Sequence, residues 1–223
     1  MTANQYSPYG APGSGAPGPG GPGHGAPGPG GPGYQPGPQF APQPLQPRSK
    51  GAGASGPLLV AAAVMMGLLA GLFFTFDLSI MPGLKRLDDV QYLTAMQNFN
   101  DLIDNSGPFG MVFVAALVVI VWAAILEYKR GRKKVAIWAG IAAGLYLVAL
   151  LITFSVNIPI NMELADLGNP AKAKDLSVID KFKGVWSATN IVRTILCTVA
   201  VGCVAQALKL HGRETAAESA SRH

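Results

Sequence analysis

The sequence has few of the residues that bind metals or form disulfides. Only two cysteines and three histidines occur in 223 residues. Cys197 and Cys203 lie six residues apart in one apolar run, so on a helix they face different directions, about 9 Å apart along the axis, and cannot bridge each other. His24, His211 and His223 lie in the two tails. Since no set of His, Cys and carboxylate residues has the spacing of metal ligands, we predict neither a metal nor another cofactor.

Charged residues are also scarce, at 13% of the chain, and the net charge of +5 is not spread over a binding surface. Basic residues instead form one short run, from Lys129 to Lys134, between two apolar blocks. Such a run is typical of a cytoplasmic connection in a membrane protein. Phosphate-binding loops, the nucleophile elbow of hydrolases and paired catalytic carboxylates are absent from the sequence as well. We therefore expect no nucleic-acid partner.

The first 56 residues contain no acidic side chain and hold most of the proline and glycine. A ten-residue unit occurs twice there, at 15–24 and 25–34, but His24 and Tyr34 interrupt the regular glycine spacing that collagen requires. Such a composition cannot bury a core, so residues 1–56 are predicted to be a disordered tail. This arm is either a tether without chemistry or a docking arm for a protein partner.

The remaining apolar residues are gathered into four blocks. Each is long enough to form the ~20 helical residues that cross a hydrocarbon core of about 30 Å. We predict membrane spans at about 57–80, 108–128, 135–157 and 185–208. The fold class is thus predicted to be all-α, a polytopic four-helix bundle at 57–210 embedded in a lipid bilayer, followed by a disordered tail at 211–223.

A short amphipathic helix is predicted between the first two spans. Asp88 is a suitable N-cap, apolar residues recur at helical spacing from Tyr92 to Ile103, and the sequence at 105–108 ends the helix. Its other face carries amides such as Gln97 rather than lysines. This favours a lid over the bundle rather than a helix lying on the membrane surface.

The distribution of Lys and Arg predicts that both termini are cytoplasmic. In that orientation the inside segments hold ten basic residues and the outside connections hold six. Positive charge is enriched in the cytoplasmic loops of membrane proteins. We therefore expect a multi-pass protein of the plasma membrane with both ends inside.

Polar side chains within the spans are the candidates for a functional site, because they are costly in lipid and usually face protein. Those near the outer end of the bundle are Asp77, Asn157, Asn161, Trp186, Asn190 and Arg193. Arg193 lies about 12 Å deep and needs a counter-charge, and Asp77 is an acid at similar depth. We predict an Asp77–Arg193 ion pair supported by Asn157 or Asn190. The alternative is that these groups only hold the bundle together.

Four segments in order carry a family resemblance. They are Met81-Pro82-Gly83 after the first span, Gln97-Asn98-Phe99-Asn100, Asn157-Ile158-Pro159-Ile160-Asn161, and the stretch Trp186 to Arg193 with Asn190 within it. Together they resemble the anthrone oxygenase-like family of four-helix membrane proteins, over about residues 58–208. The resemblance implies the oxygen-dependent oxidation of anthrones to anthraquinones without a recognised cofactor.

This resemblance suggests roles for the polar residues. An anthrone that loses its benzylic proton is electron-rich enough to react with oxygen, so the protein would supply a base, donors to the oxyanion and a dry, flat pocket. Asp77 is the candidate base, and Arg193, Asn190 and Asn157 are the candidate donors. The residues expected to bind the small aromatic substrate are Trp186, Asn161, Asn98 and Asn100.

Three functions compete on the sequence alone. The first is a membrane oxidoreductase that acts on an anthrone or other quinone-like aromatic. The second is a non-catalytic scaffold or partner subunit, which the Pro/Gly-rich arm would suit. The third, a transporter or channel, is disfavoured because the four spans contain no visible inverted repeat. A flat cavity walled by Trp186 and the asparagines would favour the enzyme, and tight packing there would favour the scaffold.

Overall fold

A computed structural model of the protein describes residues 53–104 and 106–221. Within them there is no strand, and the structure has four helices long and apolar enough to cross a membrane: Ser55–Leu84, Gly107–Lys129, Lys133–Asp166 and Val178–Ala220. The predicted all-α membrane bundle is therefore confirmed. Most of the predicted N-terminal disordered tail lies outside the described residues.

Eight α-helices make up these spans and their connections. In chain order they are α1 Ser55–Thr75, α2 Met81–Leu84, α3 Asp89–Asp104, α4 Gly107–Lys129, α5 Lys133–Ile152, α6 Ile158–Asp166, α7 Val178–Lys181 and α8 Ser187–Ala220. Three π-helical turns, Phe76–Ile80, Thr153–Asn157 and Phe182–Trp186, join α1 to α2, α5 to α6 and α7 to α8.

The four spans form a closed ring in which α8 packs on α1 and α5, and α4 packs on the same two helices. Large side chains such as Leu59, Met66 and Ile120 are fully buried at its centre. Alanines dominate the buried face of α5, and small residues let membrane helices approach closely. We call the end covered by α3 the lid end, and the end at the connection Lys129–Lys134 the basic end.

The first and third spans continue past the prolines where the sequence suggested they would stop. The first reaches Leu84 beyond Pro82, and the third reaches Asp166 beyond Pro159. Proline normally breaks a helix because it has no N–H to donate. Here each proline is the second residue after a π-helical turn, and the altered hydrogen bonding of that turn lets the helix continue past it.

Helix α3 covers the lid end, as its amphipathic pattern suggested. Tyr92, Leu93 and Met96 are fully buried in a second apolar cluster, which also contains Leu164 of α6 and Phe182 of the last π-turn. At its start the Asp88 carboxylate accepts a hydrogen bond from the Gln91 N–H, as an N-cap does. The lid is therefore fixed to the spans by packing rather than by lipid.

The prediction of a disordered tail from residue 211 is wrong for most of that segment. Helix α8 continues to Ala220. Its last turns are held by charge: His211 is buried with Nδ1 2.9 Å from the Glu127 carboxylate, and Glu218 makes a bidentate pair with Arg132 at 2.8 and 2.9 Å. Composition alone gave no sign of these partners, because they lie on other helices.

Candidate functional site

A cavity of about 270 Å³ lies at the lid end of the bundle. Its walls come from all four spans and from the lid. They are largely aromatic, with Phe73 and Phe76 on one side, Phe109 and Phe113 on another, and Trp186 on a third. The volume is near the lower end of the ~300–1,000 Å³ that small-molecule sites occupy. Six of the eight predicted site residues line this cavity; Asp77 and Asn98 do not.

Arg193 is 4% exposed and supplies the positive charge of the site. Its Nη1 donates to the Thr153 hydroxyl at 3.1 Å, and its Nη2 donates to the Asn190 side-chain oxygen at 2.7 Å. The guanidinium carbon lies 4.4 Å from the centre of the Phe73 ring and 5.6 Å from that of Trp186. Two aromatic faces and two oxygen acceptors therefore stabilise the buried cation.

The predicted ion pair between Asp77 and Arg193 does not form. Asn190 lies between them: its amide nitrogen donates to Asp77 Oδ1 at 2.5 Å, while its amide oxygen accepts from Arg193. The second carboxylate oxygen of Asp77 accepts from the Thr194 hydroxyl at 2.5 Å. An amide can donate and accept at once, which a carboxylate cannot. Asp77 thus lies behind Asn190 and does not line the cavity.

Asn157 and Asn161 bring the third span to the same cavity. The Asn157 amide donates to the Thr189 hydroxyl at 3.0 Å and more weakly to the Trp186 carbonyl at 3.4 Å. The Asn161 side-chain oxygen accepts from the Trp186 indole N–H at 2.9 Å. This bond fixes the plane of the indole, so that Trp186 forms a rigid wall.

Three polar atoms of cavity-lining residues are buried without a hydrogen-bond partner. They are Arg193 Nε, Asn157 Oδ1 and Asn100 Nδ2. Buried polar atoms are nearly always paired, since an unpaired one costs about 1–3 kcal/mol. Three residues that line the cavity therefore retain unused hydrogen-bonding capacity, a donor each on Arg193 and Asn100 and an acceptor on Asn157.

The lid contributes one cavity residue and one anchor. The Gln97 amide donates to the carbonyls of Leu164 and Gly168 at 2.9 and 2.7 Å, tying α3 to the end of α6. Asn100, one helical turn later, is 9% exposed and lines the cavity. Asn98 is exposed and does not line it, so the structure does not bring this predicted substrate-binding residue to the site.

A second, polar opening adjoins the cavity at the lid end of the bundle. Gln97, Asp101 and Gly168 line it, and Asn100 and Asn161 line both this opening and the cavity. Gly168 follows α6 with a φ of +67°, a left-handed conformation suited to glycine. The two shared asparagines place hydrogen-bonding groups where the aromatic cavity meets the polar opening.

All three π-helical turns flank the cavity. They contain Phe76, Asn157 and Trp186, respectively. A π-turn adds one residue to the helical repeat, so it rotates the side chains that follow relative to those before, and such turns are frequent at functional sites. Thr153 and Asn157, at the two ends of one turn, both line the cavity.

Sequence reasoning missed Thr153 and Phe73, which hold the guanidinium of Arg193. Thr153 is polar, lies inside the third span and precedes Asn157 by four residues. The rule that polar residues within spans usually face protein, which identified Asn157, would also have identified Thr153. Phe73 carries no such signal. Among so many apolar residues of the first span, only the fold distinguishes an aromatic ring that faces a cation.

Comparison with known proteins supports the resemblance. The sequence model of the anthrone oxygenase family matches residues 99–203. Over this stretch, just under half of its length, the chain is similar to anthrone oxygenases. The match spans the end of the lid and most of the other three spans, and so includes Asn100, Asn157, Trp186, Asn190 and Arg193. No curated protein and no solved structure matched the chain.

Within the part of the chain that the structure describes, no three His, Cys, Asp or Glu residues are grouped to hold a metal ion. The side chains that line the cavity and carry hydrogen-bonding groups are instead amides, an indole, a hydroxyl and a guanidinium. Such a set recognises oxygen atoms on a flat organic molecule, and its single charge favours an anion.

Proposed function

We propose that the protein binds an anthrone or another quinone-like aromatic in the cavity and promotes its oxidation by molecular oxygen. One observation carries the proposal: the cavity has aromatic walls, and three buried polar atoms of the described residues that line it, two donors and an acceptor, have no hydrogen-bond partner. Apolar walls with a few convergent polar groups are typical of small-molecule sites. The match of residues 99–203 to the anthrone oxygenase family supports the same substrate class.

In this proposal Arg193 stabilises the anion that precedes oxidation. Loss of a methylene proton from an anthrone leaves negative charge on its carbonyl oxygen. The Arg193 Nε–H is unpartnered, and its guanidinium is surrounded by aromatic rings, where a positive charge acts strongly on a nearby anion. Arg193 would therefore lower the pKa of the bound anthrone, and water in the polar opening would take the proton.

Oxygen then reacts with the carbon that lost the proton. One electron passes from the anion to O₂, the two radicals combine to form a C–O bond, and the resulting peroxide is protonated. Loss of water from this hydroperoxide breaks the O–O bond and leaves a carbonyl. Each anthrone thus consumes one O₂ and yields one anthraquinone and one water, with the substrate carbon oxidised and oxygen reduced.

Asp77 has a supporting role in this proposal rather than the role of base. Its two oxygens already accept hydrogen bonds from Asn190 and Thr194, and it does not line the cavity. Through Asn190 it fixes the amide oxygen that holds the Arg193 guanidinium. Asp77 is thus a positioning residue that keeps the cation in place.

The test uses the full-length chain in lipid nanodiscs with anthrone under air. Oxygen uptake and anthraquinone absorbance are followed together. We expect wild type to accelerate the reaction over protein-free nanodiscs with one O₂ consumed per quinone. Arg193→Lys keeps the charge but loses the Nε–H and the planar contact with the rings, and we expect about a 100-fold lower rate.

The matched control is Thr198→Val on the same helix. The Thr198 hydroxyl donates only to the carbonyl of Thr194, one turn earlier, and the residue does not line the cavity. Its rate should equal that of wild type. If Arg193→Lys does not fold, Asn157→Leu, which removes the unpartnered acceptor, replaces it. Wild type that fails to accelerate anthrone oxidation would refute the proposal.

The competing functions receive less support from the same features. A scaffold would gain stability from filling the lid end, yet three polar atoms there are buried unpaired. A channel would need a continuous wet path. Toward the basic end, however, buried apolar residues of all four spans, among them Leu59, Ile120, Ala142 and Val204, pack into one core.

We also propose that the lid end faces outward and that both termini are cytoplasmic. The basic connection at the opposite end, with Lys129, Lys133 and Lys134, supports this orientation. Labelling by a membrane-impermeant maleimide in intact cells tests it. In a Cys197→Ser, Cys203→Ser background, the Lys172→Cys variant should react and the Lys133→Cys variant should not.

A further inference from the structure

One wall of the cavity is formed by residues that also reach the lateral surface of the spans. Three of its lining residues, Gly110, Val114 and Phe154, are exposed, the last two at 54% each. All three lie within spans, on α4 and on the π-turn after α5. Val114 is seven residues into α4, which is about 10 Å along the helix axis. An exposed apolar side chain at that depth faces lipid.

We propose that the ligand of this cavity enters from the bilayer, between the second and third spans. The gap between Val114 and Phe154 is the portal. This inference rests on the proposed function in so far as it names the ligand, a flat aromatic that dissolves in lipid. It adds the substrate class: molecules apolar enough to partition into the membrane, with their oxygens directed inward to the donors of Arg193 and Asn100.

Phe154 is placed to act as a gate at this portal. Its ring meets that of Phe113 edge to face, with centroids 6.4 Å apart, and Phe113 stacks on Phe109 at 5.6 Å. Phe113 is 8% exposed, so the outermost ring is Phe154. The half-exposed ring of Phe154 has lipid on one side, so we expect its side chain to change rotamer without displacing a buried neighbour. Gly110, whose missing side chain leaves open space, widens the same gap.

The polar opening beneath the lid is less suited to admit such a molecule. It is lined by Gln97, Asp101 and the shared asparagines, which bind water well and would have to lose it to an apolar ring. Water and protons pass through such an opening readily. We therefore expect the aromatic molecule to enter from the lipid side and water to enter through the polar opening.

The test follows binding rather than turnover, so that its failure is separate from failure of the oxidation. Trp186 lines the cavity and reports binding when a quinone quenches its fluorescence. Trp122 and Trp138, the other two tryptophans, are exposed on the spans and are replaced by Phe. Anthraquinone, which is not an oxidisable substrate, is mixed into liposomes that contain the full-length chain, and quenching is followed by stopped flow.

Two matched variants on α4 decide the route. Val114→Phe fills the portal, whereas Val118→Phe adds the same bulk one turn away, at a residue that is equally exposed but does not line the cavity. We expect Val114→Phe to slow binding and release of anthraquinone at least tenfold each, with an unchanged dissociation constant. Val118→Phe should leave both rates unchanged, and Phe154→Ala should raise both.

Anthraquinone-2-sulfonate, which is charged and stays in water, tests the polar opening. We expect it to quench Trp186 far more slowly than anthraquinone does. Equal quenching by the sulfonate, rates unaffected by Val114→Phe, or no quenching of wild type by anthraquinone would each overturn the portal. Binding through the portal without any acceleration of anthrone oxidation would support the portal and refute only the proposed oxidation.

Discussion

At the scale of single residues, the site is organised by one amide. Asn190 is fully buried and uses its nitrogen for Asp77 and the Phe73 carbonyl, and its oxygen for Arg193. It therefore joins the first and fourth spans and orients the cation in a single contact network. Burying a cation and a carboxylate in lipid without this intermediate amide would leave their remaining lone pairs and protons unsatisfied.

Asn98 and Asn100 provide a test at this scale because they are two residues apart on the same helix. Asn100 Nδ2 is buried and unpartnered at the cavity, whereas Asn98 is exposed. We expect Asn100→Ala to weaken anthraquinone binding about 2- to 10-fold, the value of one neutral hydrogen bond. Asn98→Ala should bind as wild type does. The measurement is a titration of Trp186 quenching, and equal affinities for the two variants would contradict our reading of the cavity.

At the scale of secondary structure, the π-turns orient polar residues of the site such as Asn157 and Trp186. The apolar blocks predicted the spans, and the cost of polar groups in lipid identified Arg193, Asn190 and Asn157 as a cluster. The π-turns could not be predicted, since a shift from i→i+4 to i→i+5 bonding leaves no compositional signal. The hydrogen-bond partners of Asp77 could not be predicted either. Depth along a helix does not show whether Asp77 and Arg193 contact each other or both bind Asn190.

Pro159 is expected to maintain the π-turn at Thr153–Asn157. Without an N–H it leaves a carbonyl of this turn without its usual helical donor. Pro159→Ala should restore that bond, raise thermal stability and turn Thr153 and Asn157 away from the cavity. We expect a higher Tm together with about tenfold weaker anthraquinone binding. Pro108→Ala, at the start of α4, where the N–H has no helical partner, should change neither quantity.

The lid should respond to alkaline pH through Tyr92. Burial raises the pKa of this phenol from 10.0 to about 12. The unfolded phenol ionises first, so the stabilisation is complete below pH 10 and is lost as the pH rises through about 12. We expect lid packing, measured by hydrogen exchange of α3 backbone amides, to weaken between those values. Tyr92→Phe should remove this dependence, and an unchanged profile in that variant would assign it to another group.

At the scale of the whole molecule, the two ends of the bundle use polar groups differently. At the lid end they surround a cavity. At the basic end the Glu127 carboxylate lies 2.9 Å from His211 Nδ1 and 3.5 Å from Arg132 Nη1. Arg130 contacts Ser55, and Glu218 raises the pKa of Arg132 by hydrogen bonding. These contacts join the first, second and fourth spans at the end remote from the cavity, so the basic end stabilises the bundle.

Glu127 is therefore the residue whose loss should most affect folding. It is fully buried, and Glu127→Ala would leave His211 and Arg132 without the charge they surround, which costs about 3–5 kcal/mol for a buried pair. Glu163→Ala breaks an exposed pair with Lys181 and should cost at most about 1 kcal/mol. Thermal unfolding in nanodiscs compares the two. Since the cavity lies at the other end, Glu127→Ala protein that remains folded should bind anthraquinone as wild type does, and weakened binding at unchanged Tm would contradict this division.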